Sequence, residues 1–230
     1  RLGITTEEWF KFGGGDGFYT QVDPNDQKFV YGESLHGSLF RFNLETGLSE
    51  PLKPEPNSKD ERYRFNWNSP FMISPHDSNI IYLGGNRLFI SRDKGETWES
   101  TKDLTTQLDK NKIPIMGILP DENTLSRDDG IPFFGTITTI SESPVKKGII
   151  YVGTDDGNIQ ISKDGGNSWE NVAENVSGVP KSTYVSRLVT SKHSEERAFA
   201  AFDNHRNNDF DPYVFMTNDY GKNWKDISGN

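Results

Sequence analysis

Apolar residues along this chain alternate with polar ones in short runs, and the runs end in clusters of Gly, Pro, Asp, Asn and Ser. Runs such as Ile80–Leu83, Leu88–Ile90, Ile149–Val152 and Ile159–Ile161 are strand-length. No long segment carries apolar residues at helical spacing. This pattern predicts many short strands joined by tight turns.

Two internal repeats organise the runs. The first is [ST]-x-D-x-G-x-[TSN]-W, found at Ser91–Trp98, Ser162–Trp169 and Thr217–Trp224. Its chemistry is that of a hairpin turn. The Asp accepts backbone N–H groups, the Gly adopts positive φ, and the Trp leaves the turn as an apolar plug. Asp93, Gly95 and Trp98, then Asp164, Gly166 and Trp169, then Asp219, Gly221 and Trp224 are therefore read as structural. The second repeat is a strand–turn–strand unit at Val22–Tyr31, Ile73–Tyr82, Ser141–Tyr151 and, more weakly, Val189–Phe199. Its aromatics Tyr31, Tyr82, Tyr151 and Phe199 are 51, 69 and 48 residues apart, and the long interval holds an insertion.

Together the repeats define a unit of four strands. In the first unit the strands are expected at Phe18–Pro24, Lys28–Glu33, Ser38–Asn43 and Ser49–Lys53, and its third turn, Leu44–Gly47, has lost the Asp pattern. The expected fold is an all-β propeller of four-stranded antiparallel blades. About four blades are present, approximately 13–60, 61–102, 133–175 and 181–230, with an insertion near 103–132.

The turn pattern resembles the Asp-box, or BNR repeat, of sialidases, xyloglucanases and the sortilin (VPS10) propellers. Gly13–Phe18, Phe65–Pro70, Gly135–Ile140, Gly153–Gly157 and Ala201–Arg206 are similar to bacterial sortilin-like BNR proteins, often labelled glycosyl hydrolases. The resemblance implies a secreted, periplasmic or cell-surface protein. It also implies a larger propeller, completed by further blades from a missing segment. It leaves activity open, because this fold hosts both enzymes and binders.

Propeller topology gathers the strand 2–3 loops and the strand 4–1 connections on one rim. The expected ligand-binding rim comprises Asp16, Arg64, Trp67, Asn68, Arg87, Asp155, Asp156, Tyr184, Asp203, His205 and Arg206. Such a surface suits a protein, peptide or glycan, and the main expectation is recognition without catalysis. The alternative is a glycoside hydrolase using paired rim carboxylates, with Asp16, Glu33, Asp155 and Asp156 as candidates. Against it, the resemblance to xyloglucanases sets a catalytic Asp where Leu35 stands in Tyr31–Ser38.

The remaining chemistry narrows the picture by exclusion. The net charge is -9, so there is no basic footprint for nucleic acid. There are no cysteines. The four histidines, His36, His76, His193 and His205, lack metal-ligand spacing, and Asp155-Asp156 and Asp209–Asp211 match no calcium loop, so no metal is expected. Gly13–Gly17 lacks the Lys-Ser/Thr and the helix of a phosphate loop, and no other cofactor motif is visible. No apolar run reaches transmembrane length. The insertion joins an apolar stretch, Ile113–Pro120, to the acidic stretch Asp121–Gly130, a composition that suits a functional or decorative loop.

Overall fold

Four hairpin-connected sheets account for nearly all regular structure in the computed structural model, which describes residues 3, 5, 6, 9, 11–56, 58, 62–114, 116–124 and 133–229. The first sheet contains β1 (Thr20–Val22), β2 (Phe29–Ser34), β3 (Ser38–Asn43) and β4 (Ser49–Pro51). The second contains β5 (Phe71–Ile73), β6 (Ile81–Gly84), β7 (Leu88–Ser91) and β8 (Glu99–Ser100). The third contains β9 (Ile137–Glu142), β10 (Ile150–Thr154), β11 (Ile159–Ser162) and β12 (Glu170–Asn171). The fourth contains β13 (Tyr184–Thr190), β14 (Ala198–Asp203), β15 (Tyr213–Thr217) and β16 (Lys225–Asp226). Within each sheet the strands pair antiparallel in chain order, so each is a meander, the unit of a propeller blade.

Each core lies between successive sheets. Tyr31 and Leu39 of the first sheet meet Phe71, Leu83 and Phe89 of the second. Tyr82, Leu88 and Ile90 of the second meet Ile137, Ile150 and Val152 of the third. Tyr151, Ile159 and Ile161 of the third meet Val185, Leu188 and Ala200 of the fourth. A strand rich in β-branched and aromatic residues can bury both faces only if a neighbour covers each one. The repeated Tyr31, Tyr82 and Tyr151 all face the following sheet and are essentially inaccessible.

The three Asp turns share one hydrogen-bond pattern. Asp93 Oδ1 accepts the Thr97 amide at 2.9 Å, Asp93 Oδ2 accepts Thr97 Oγ1 at 2.6 Å, and Ser91 Oγ accepts the Gly95 amide at 2.7 Å. Asp164 holds Ser168, and Asp219 holds Asn223, in the same way. The hydroxyls of Ser168 and Ser162 and the Ser168 amide hold the Asp164 carboxyl down at about 2. Gly95, Gly166 and Gly221 have φ of 96°, 97° and 84°. The residues before them are also left-handed, including the non-glycines Lys94 and Tyr220, which the sequence pattern did not reveal. In the first sheet Asn43 substitutes for the Asp, accepting the amides of Glu45 and Thr46.

Backbone hydrogen bonds fix which loops share an end. The Asp turns bind the strand 1–2 turns, as Lys94 N does to Asn79 O at 2.9 Å. At the opposite end the strand 2–3 loops bind the segments leading into strand 1. Asn86 N donates to Arg64 O at 2.8 Å and Asp155 N to Thr136 O at 3.0 Å. That second end is the rim on which the candidate residues were expected.

Candidate functional site

The rim is built largely by the insertion, which leaves β8 and crosses toward the fourth sheet. Its first residues are tied down by charge. Arg64 donates to Asp103 Oδ2 at 3.0 Å and to the Gly135 carbonyl at 3.1 Å, and Asn86 Nδ2 donates to the same Asp103 oxygen at 2.9 Å. Burial opposes ionisation of Asp103, but Asn86, Thr105 and Arg64 hold its carboxyl below the usual range. Further along, the Thr106 amide and hydroxyl both donate to Asp156 Oδ2, at 2.8 and 2.6 Å. Thr154 Oγ1 donates to the other Asp156 oxygen. Met116 N then reaches Asn207 Oδ1 of the fourth sheet's strand 2–3 loop at 3.4 Å.

These contacts sort the expected rim residues. Arg64, Asp156 and Arg87 bond to neighbouring scaffold groups; Arg87 donates to the Thr101 carbonyl at 3.0 Å. Glu33 is also internal. It is 2 % exposed, and its Oε1 accepts the Gly37 amide at 3.1 Å, supporting the turn after β2. Burial pushes its carboxyl up to about 8, outweighing that hydrogen bond. Glu33 lines a cavity of about 300 Å³ with Gly13, Gly14, Gly15 and Gly17, although almost none of its surface is exposed. Asp16 is exposed on the glycine-rich turn, which lies against Ser34 of the first sheet. Asn68 is exposed beside Trp67, its amide held by Asn66 Oδ1. The cavity that Asp155 lines does not include Asp16.

What remains open is an aromatic groove. Trp67 meets the His36 ring edge-on at 5.1 Å, and His36 meets Phe133 at 6.1 Å. Phe133 and Phe134 then line a cavity of about 440 Å³ with Arg64, Gln107 and Lys110. Phe134 and Lys110 also wall a second cavity of about 130 Å³, closed on its far side by Asp155, Tyr184, Asp203 and Arg206. Sequence reasoning named Trp67, Asp155, Tyr184, Asp203 and Arg206 for this rim. It missed Phe133, Phe134 and Lys110, which only the path of the insertion brings there.

The two carboxyls in the second cavity are tuned in opposite directions. Asp155 is 5 % exposed. Burial pushes it up to about 7, even though it accepts the amides of Gly135 and Thr136 at 3.0 and 2.7 Å and Thr136 Oγ1 at 2.7 Å. Asp203 goes the other way. Burial opposes it, but the His205 amide at 3.0 Å, the His205 ring at 2.7 Å and the Arg206 charge hold it below the usual range. Tyr184 pairs with Asp203 across the β13–β14 ladder, and burial with the nearby Asp155 pushes its phenol up to about 12. Near neutral pH this cavity holds a protonated phenol, a carboxyl shared between its two protonation states and a carboxylate. The described residues contain no group of three or more His, Cys, Asp or Glu able to hold a metal ion. No helix among them is long and apolar enough to cross a membrane.

No family model matches the chain. An oligoxyloglucan-reducing end-specific xyloglucanase from Emericella nidulans is 22% identical over 230 residues, which is 94% of this chain and 24% of that protein. The chain thus spans about a quarter of this relative's length. The crystal structure of the GH74 xyloglucanase from Xanthomonas campestris superposes with a TM-score of 0.60 at 17% identity, over 94% of this chain and 31% of that one. The Dos1 propeller gives a TM-score of 0.55 at 11% identity, over 88% and 46%. Likeness at these identities speaks for fold alone, and with the four meander sheets and their shared cores it establishes this chain as four blades of a β-propeller, of the kind seen in the xyloglucanases.

Proposed function

We propose that the chain is part of a secreted or cell-envelope glycoside hydrolase acting on a polysaccharide, and that the rim groove holds the sugar chain. One observation carries this reading: Asp155 and Asp203 line one cavity, and their surroundings push the two carboxyls in opposite directions. Such a split is the division of labour a glycosidase needs, with one carboxyl supplying a proton and the other a negative charge. Asp155 would protonate the leaving glycosidic oxygen. Asp203, oriented by His205, would stabilise positive charge at the anomeric carbon or activate water. Tyr184 lines the same cavity and can orient a sugar hydroxyl. The rings of Trp67, Phe133 and Phe134 offer flat faces to successive sugars. The likeness to xyloglucanases adds weight to this reading over pure recognition.

A second reading is favoured by one detail. Both oxygens of Asp155 are already held, by Gly135 and Thr136, as suits a structural clamp. The groove would then recognise a glycan or peptide without cutting it, as in a sortilin-like propeller.

The test is reducing-end release from xyloglucan and a panel of other polysaccharides, alongside binding to the same polymers. Hydrolysis that falls at least tenfold in both Asp155→Asn and Asp203→Asn, with binding retained, supports the enzyme. Binding without release by the complete protein supports recognition. Release unaffected by either substitution removes this cavity from the chemistry.

A further inference from the structure

A further cavity, of about 580 Å³, lies where the third sheet, the fourth sheet and the insertion meet. Its wall is made by Leu108 of the insertion, Asn158 of the third sheet's strand 2–3 loop, Val176 and Val179 of the connection after β12, and Phe202 of β14. Neither Asp155 nor Asp203 lines it, although Ser182 lines both this cavity and theirs.

Asp156, Asn158 and Thr183 form its buried end, at 0, 2 and 3 % exposed. Two of the three are satisfied. Asp156 accepts from Thr106 and Thr154, and Thr183 Oγ1 donates to the Pro180 carbonyl at 2.6 Å. Asn158 is different. Its Nδ2 donates to the Leu104 carbonyl at 2.7 Å, and a carbonyl can only accept, so Oδ1 is the atom left over. That oxygen is buried and has no hydrogen-bond partner among the described residues. A buried acceptor without a donor is destabilising, and a ligand that brings the donor removes the penalty. The backbone alongside is constrained as well. Ser182 is held at φ 61°, and a Cβ on Gly157 would lie 2.6 Å from its Cα, so only glycine lets the two loops meet.

The rest of the wall sets the chemistry of the ligand. Leu108, Val176, Val179 and Phe202 offer apolar surface, and Leu108 is 41 % exposed. Glu174 and Lys181, the exposed charged residues of the wall, have opposite signs, which favours an uncharged ligand. The site therefore calls for one hydrogen-bond donor set beside an apolar group. A plain hexose carries hydroxyls around its whole ring and would leave several unpaired against these apolar side chains.

We propose that this cavity binds an N-acetylated amino sugar through its acetamido group. The acetamido N–H donates to Asn158 Oδ1, and its methyl packs on Leu108, Val176, Val179 and Phe202. Ser182 or Asn171 donates to its carbonyl. The site uses different residues from the hydrolase reading and stands whether or not the groove cuts a glycan.

Saturation-transfer NMR tests it on the complete protein, with N-acetylglucosamine as the probe and glucose and glucosamine as comparisons. The acetyl methyl is expected to take the strongest saturation, and the two sugars that lack it should take several-fold less. Val179→Asp puts a charge where the methyl packs and should abolish the transfer. Asn158→Leu removes the acceptor and should do the same. Asn158 also holds Leu104, so if that variant does not fold, Leu108→Asp takes its place; circular dichroism checks folding. Equal saturation of glucose overturns the acetamido assignment. No transfer to N-acetylglucosamine overturns the site, and so does transfer that survives Val179→Asp and Leu108→Asp in folded protein.

Discussion

Trp98 Nε1 donates a hydrogen bond of 2.8 Å to the carbonyl of Leu52, so the turn of the second blade is fastened to the end of the first. The tryptophans of the other two turns bond within their own turns, Trp169 to Gly166 and Trp224 to Gly221. The same residue type in the same motif therefore has different reach. Trp98→Phe should cost about 1 kcal/mol, the worth of one hydrogen bond, and Trp98→Ala about 3 kcal/mol. Gly95→Val should be worse than its size suggests, because φ is 96° and Leu52 occupies the space for a Cβ. Denaturant unfolding of the three variants checks the order.

Acid should weaken the Asp164 turn only at low pH. Asp164 titrates at about 2, held down by its hydrogen bonds, against a reference of 3.8. A depressed carboxyl lends stability that is present above its unfolded pKa and lost as pH falls through the folded one. The loss therefore falls between about pH 4 and pH 2. Asp164→Asn should remove this dependence, leaving the variant weaker than the wild type at pH 6 and nearly equal to it at pH 2. Circular dichroism melts at the two pH values read the difference.

Asp155 should behave in the opposite sense. Its folded pKa of about 7 lies above the reference of 3.8, so the folded state binds the proton more tightly. Stability from this group is full below pH 4 and lost as pH rises through 7, by at most about 4 kcal/mol for three units. In Asp155→Asn the amide can donate to Thr136 Oγ1 and its oxygen can accept the Gly135 and Thr136 amides. The variant should fold and show a smaller fall in stability between pH 4 and pH 8, the remainder belonging to Glu33, whose carboxyl burial pushes up to about 8. A fall of the same size in wild type and variant would place the titration elsewhere.

Arg64→Ala should free the start of the insertion. It removes the donors to Asp103 and to the Gly135 carbonyl, leaving a half-buried carboxylate with Asn86 and Thr105 alone. The expected cost is about 2 kcal/mol. Amide exchange should quicken at residues 103–107 and 135–136 while the Asp turns stay protected.

The fold was legible because a propeller repeats its instructions. The Tyr at positions 31, 82 and 151 and the Trp at 98, 169 and 224 are large plugs at recurring places in the repeat, and their packing follows from the local turn. The rim was legible as a set of positions but not as a set of roles. Whether Arg64 faces a ligand or Asp103, and whether Asp156 faces solvent or Thr106, depends on where a non-repeating insertion folds back. Its contacts span 39 and 50 residues and carry no periodic signal. The run Asp103-Leu104-Thr105 did hold one local hint. Its Asp Oδ1 accepts the Thr105 amide two residues on, an Asx turn that starts a loop rather than a strand.

Cores that belong to adjacent sheets also set how this molecule answers tension. A pull on its two ends loads the sheets in series, so each sheet can tear away while its neighbours hold. A force–extension trace of the arc should show discrete rips. Each would release a sheet of roughly 50 residues and lengthen the chain by roughly 170 Å, with one longer release where the insertion travels with its blade.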